Sequence, residues 1–130
     1  MSIKNKINNF LFSKGFKLID EDVSEYFGDF YCNYSNEIVN VRLVSDRSIE
    51  TIDVCSVLEP NRWIDLALIK ALMNDEQDLS MVVPVDEYND FLENHLSKIC
   101  DLLSKSNYYS TKKKIEKLED KRAKQMFPNV

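Results

Sequence analysis

At 130 residues, 44% of them apolar, the chain has the length of one domain and enough apolar side chains to bury a core without metal or disulfide support. Two glycines and three prolines exclude collagen-like and linker compositions, and no run stays apolar for the roughly 18 residues of a membrane span. The net charge of −5 conceals an asymmetry: residues 18–101 hold 19 acids and five bases, while residues 1–17 carry +4 and residues 102–130 carry +5. An acidic body of this kind repels a phosphate backbone and attracts a basic protein, so direct nucleic-acid binding by the body is not expected.

Ile3, Ile7, Phe10 and Leu11 recur at helical spacing, and Gly15 supplies a left-handed residue to end the helix they predict. Asn and Lys interrupt this apolar stripe, unlike a signal peptide, and the expected location is cytoplasmic. "FKLID" and "FYCNY" read as two antiparallel strands, joined by the acidic "EDVSEYFGD". In "EIVNVRLVS" and "SIETIDVCS", Val39, Val41, Leu43, Ile52 and Val54 alternate with polar residues, the period of a sheet buried on one face. Between them Ser45-Asp46-Arg47-Ser48 reads as a hairpin turn, with Asp46 placed to accept backbone N–H bonds.

The period then changes. Pro60 and Asn61 offer a start for a helix led by Trp63 or Ile64. After the polar "NDEQD", the stripe Val85, Tyr88, Phe91, Leu92, Leu96, Ile99, Cys100, Leu103 predicts a long helix with Asp86 and Glu87 at its positive end. Residues 105–130 form a basic, partly solvated C-terminal helix with a thin stripe of Ile115, Leu118, Arg122 and Met126. The predicted architecture is a single α+β domain over 1–130: an N-terminal helix, a four-stranded antiparallel meander, then three helices packed against the sheet.

Chemistry-bearing patterns are sparse. The three cysteines are far apart and lack a C-x-x-C pair, which makes them buried thiols rather than disulfide or zinc ligands. His95 is the only histidine and lies beside an apolar stripe, Gly15 and Gly28 are isolated, and no metal-ligand spacing occurs, so neither cofactor nor metal nor catalytic residue is expected and the chain reads as a non-enzyme. The acidic runs Asp20-Glu21-Asp22 and Asp75, Glu76, Asp78 have two readings: solvated loops, or a docking patch for a basic partner. The lysines of the tail are diluted by Glu116, Glu119 and Asp120 and lack an aromatic platform, so neither a nucleic acid nor a membrane is the expected partner.

Residues 12–73 resemble the small cytosolic immunity proteins that accompany polymorphic bacterial toxins, including those of contact-dependent growth inhibition. The resemblance rests on the N-terminal helix, on "YFGDFYCNYSN" as a strand entered through an aromatic-Gly pair, on "IVNVRLVSDRSIETIDV" as a hairpin, and on "EPNRWIDLALIKALM" as a helix. It implies a protein that binds a cognate toxin domain, commonly a nuclease, and blocks its active site or substrate groove. Charge and inferred exposure select the contacts: Asp20, Glu21, Asp22, Glu25 and Asp29, with Glu50 and Asp53 on the outward sheet face, Arg47 at the hairpin tip, and Tyr26 and Tyr34 as anchors. The competing reading is a small cytosolic adaptor or oligomerising protein, with a homodimer as one form of it.

Overall fold

The computed structural model describes residues 2–23 and 29–128. Helix α1 spans Ile3–Ser13, followed by strands β1 Lys17–Val23, β2 Phe30–Ser35, β3 Val39–Asp46, β4 Ile49–Ser56 and β5 Ile64–Asp65. Helices α2 Leu66–Asn74, α3 Val85–Leu102 and α4 Tyr108–Met126 complete the chain. All strand pairs are antiparallel and follow sequence order, β1-β2-β3-β4-β5. The α+β class and the helix–meander–helices order are those expected; the fifth strand is new, and it moves the helix expected to start at Pro60 and Asn61 to Leu66.

Local chemistry accounts for the boundaries. Ser2 caps α1 by accepting the Asn5 N–H at 3.2 Å, and Gly15 leaves the helix at φ +86°. Asp65 ends β5 and caps α2 through the Ala67 N–H at 2.9 Å, while Asp75 closes that helix in the left-handed conformation. In α3 the helical dihedrals break at His95, whose exposed ring lies 4.7 Å from that of Phe91.

The sheet buries one face. Cross-strand partners Cys32–Leu43–Ile52 and Tyr34–Val41–Val54–Ile64 lie on it, are all buried, and join Ile7, Leu11, Ile69, Leu92 and Ile99 in one core. Helix α4 packs chiefly along α2. Its seam is wider than the sequence stripe, since Tyr108 and Thr111 are buried with Ile115. Beside that seam it is held by ion pairs from Lys112 to Glu59 at 2.8 Å, from Arg62 to Glu119 at 2.6 Å and from Arg122 to Asp65 at 2.8 Å. The Lys112 and Tyr108 hydrogen bonds hold the Glu59 carboxyl below its usual range.

The β3–β4 hairpin turns on Arg47 and Ser48, both left-handed at φ +52° and +67°. Two consecutive left-handed residues make the mirror-image turn that matches strand twist, a conformation that favours Asn-Gly. Asp46 does not supply the expected support: among the described residues its carboxylate makes only a 4.0 Å contact with the Arg47 Nε. The turn is tied instead by Asp29, whose Oδ1 accepts the Arg47 N–H at 2.9 Å. Replacing Arg47-Ser48 by Asn-Gly should relieve strain and stabilise the fold by about 1 kcal/mol, raising Tm by roughly 4 °C. A thermal melt showing no rise would mean that the turn is not strained.

Candidate functional site

The second face of the sheet carries polar residues in register. Asp20 on β1 stands opposite Asn33 on β2, Asn33 opposite Arg42 on β3, Arg42 opposite Asp53 on β4, and Asp53 opposite Asp65 on β5. One polar row therefore crosses all five strands. A neighbouring row runs Asp22–Tyr31–Val44–Thr51 on the same face, and the members of β2 to β4 in both rows are partly exposed.

Arg42 is the fixed point of the face. Its Nη2 donates to Asp53 Oδ2 at 2.9 Å and its guanidinium lies 4.3 Å from the centre of the Trp63 ring. The cation–π contact and the ion pair together hold the guanidinium in place. Burial raises the Asp53 carboxyl above its usual range, and the Arg42 hydrogen bond and charge work against that rise. Beyond Asp53, Asp65 accepts the Tyr88 hydroxyl at 2.8 Å and an Arg122 N–H at 2.8 Å, which fastens the row to α3 and α4. At the other end, the Tyr31 hydroxyl donates to Asp20 at 3.3 Å, and the Asp20 charge raises its pKa.

Two polar atoms of the row have no protein partner although both are buried: Asn33 Oδ1, an acceptor, and Arg42 Nε, a donor. They sit on directly opposed residues of adjacent strands. A buried donor or acceptor left unpaired costs about 1–3 kcal/mol, a cost the folded chain carries at this point of the face.

The residues expected to make contacts are distributed as follows. Asp20 and Asp22 are exposed on the polar face, at the edge of the sheet. Glu21 lies between them in sequence and so points to the opposite face, 3.7 Å from Lys4 of α1. Asp53 is on the outward face as expected but is engaged by Arg42. Glu50 is not: its register with Ser45 places it on the helix-covered face, with Oε2 buried, because residues three apart on a strand cannot share a face. Tyr34 is no surface anchor, being fully buried with its hydroxyl donating to Asn8. Arg47 projects from the hairpin tip with its side chain 90% exposed, and Asp29 is spent on the turn. Glu25 and Tyr26 lie outside the described residues.

Asn33, Arg42, Trp63 and Asp65 were not among the expected contacts, although Arg42 is a polar member of the alternating strand β3. The thiols of Cys32 and Cys55 are buried and that of Cys100 half-buried; burial pushes all three up. Among the described residues no group of three or more His, Cys, Asp or Glu side chains could hold a metal ion, and no helix is long and apolar enough to cross a membrane. Comparison with protein-family models, with curated proteins and with solved structures gives no match in any of the three.

Proposed function

We propose that the chain is a cytoplasmic immunity-type inhibitor that acts by binding, and that it occupies a basic toxin domain through the polar sheet face. The supporting observation is the row from Asp20 to Asp65, with an Arg–Trp pair at its middle and carboxylates at the exposed edge. Arginine and tryptophan are the residues that most often dominate binding energy at protein interfaces, and Tyr31 adds a third such side chain. An acidic rim steers a basic partner and contributes on-rate and specificity more than affinity.

The test is rescue and co-purification. A gene adjoining that of this chain should encode a toxin domain, and cells producing that domain should survive when the chain is produced with it, the two co-purifying; no such gene, or death despite both proteins being present, sinks the reading. With that complex in hand, reversing Asp20 and Asp22 to Lys should slow association about tenfold at low salt, with the difference shrinking as salt screens it. Glu21→Lys, on the opposite face, should change the rate much less. Equal effects of the two changes, followed by stopped-flow mixing, would move the contact away from the polar face. The adaptor reading instead expects assembly without any protection of cells from a toxin.

A further inference from the structure

Strand β5 pairs only Ile64 and Asp65, with Val54 and Asp53, so the first half of β4, Ile49–Ile52, has β3 on one side and no strand on the other. Among the described residues no backbone hydrogen bond from a loop reaches this stretch. Alternate residues of an antiparallel strand aim N–H and C=O to the same side, so part of the Ile49–Ile52 backbone points away from β3 without a protein partner. This free edge lines a cleft of about 550 Å³, closed on its other sides by residues 79–83, α2 and the end of α4.

The walls are unusually apolar for exposed surface. Ile49, Met81 and Val82 are 62, 74 and 86% exposed and all face the cleft, together with Met126. On its rim the two cations are already neutralised, Lys70 by Glu76 at 2.7 Å and Arg122 by Asp65 at 2.8 Å. Asp78 and Glu87 line the same cleft and enter no ion pair among the described residues. The Ser80 hydroxyl and N–H bonds to Asp78 hold its carboxyl below the usual range, so it is charged at neutral pH.

We infer that this cleft binds an extended segment of a partner protein, added as a strand on β4 in the place β5 leaves empty, with alternate apolar side chains against Met81 and Val82 and a Lys or Arg beside Asp78 and Glu87. Four edge residues at roughly 3.3 Å each fit a segment of about four to six residues. Strand addition satisfies the unpaired backbone groups of β4, which a helix laid in the cleft would leave unpaired. The excess of free carboxylates selects a basic segment over an acidic one. The inference goes beyond the inhibitor reading and does not depend on the partner being a toxin.

The probe is the blocked peptide (Lys-Val)4, with (Glu-Val)4 and a (Lys-Val)4 N-methylated at alternate residues as controls, each added to the full chain and followed by amide hydrogen exchange. The (Lys-Val)4 peptide should slow exchange at alternate residues of Ile49–Ile52 at least tenfold, and neither control should. Met81→Lys, a change at an exposed side chain, should weaken that binding about tenfold without altering the melting temperature. Protection absent from Ile49–Ile52, equal protection by the N-methylated or acidic peptide, or unchanged binding by Met81→Lys would overturn the inference. So would protection that grows with protein concentration alone, which would make a second copy of the chain the occupant.

Discussion

Tyr34→Ala is expected to cost about 3–5 kcal/mol of stability, the range for removing a large buried ring, measured as the shift in a urea unfolding curve. The ring is fully buried in the core, stands opposite Leu18 and Val41 in the sheet, and lies edge-on to Phe12 with centroids 6.0 Å apart. Its hydroxyl donates to Asn8 of α1, and burial drives its pKa upward, so the group stays neutral and acts as a donor. Tyr34→Phe keeps the ring and removes only the donor. It should cost about 1–2 kcal/mol, because the half-buried Asn8 acceptor is left without that bond. A loss below about 1 kcal/mol for the alanine variant would mean that α1 is not anchored to the sheet through this residue.

Asp65→Ala is the second large effect, about 3 kcal/mol. One carboxylate caps α2, receives the Tyr88 hydroxyl and pairs with Arg122, so its loss removes a cap of about 1 kcal/mol and strands two partners. The side chain is 24% exposed, so the cost stays below that of breaking a fully buried pair. Asp65→Asn keeps an oxygen for the cap and loses the charge. A double-mutant cycle of Asp65→Asn with Arg122→Ala should return a coupling of about 1 kcal/mol, and amide exchange in α4 should rise in the single variants. Additive effects in that cycle would show that α4 is held by its apolar seam alone.

The strands β3 and β4 were legible because Val39 to Leu43 and Ile52 to Val54 alternate without interruption, and period two has one structural meaning when it is that regular. The same rule, applied from Asp53 back to Glu50, separates these two acids onto opposite faces; their shared charge suggested a shared surface, and parity decides otherwise. Tyr34 shows the limit of residue type as a guide, since tyrosine serves cores and interfaces equally well, and only the register with Val41 and Val54 assigns it. β5 is two residues long, too short for any periodicity to announce it. The partners of α4 were out of reach for a different reason. Arg62 and Glu119 are 57 positions apart, as are Asp65 and Arg122, and nothing local encodes such pairs. On the polar face the acids Asp20, Asp22 and Asp53 were chosen for charge, while Asn33 and Arg42 look like ordinary solvent-side residues until the register brings them together.

The strictly sequential order of the sheet bears on how the chain acquires its shape. Each strand pairs with the next in sequence, so every step of sheet assembly closes a short loop and costs little chain entropy, the condition under which folding is fast. Among the ties that close long loops are those of α4, which reach back to Glu59, Arg62 and Asp65, and those from the end of α3 to Asn36 and Ser56. During synthesis the meander can therefore form while the last helix is still within the ribosome, and the α4 latch engages only afterwards. Until then the acidic sheet face is already assembled, and a cell making this chain acquires that surface before the whole molecule is locked.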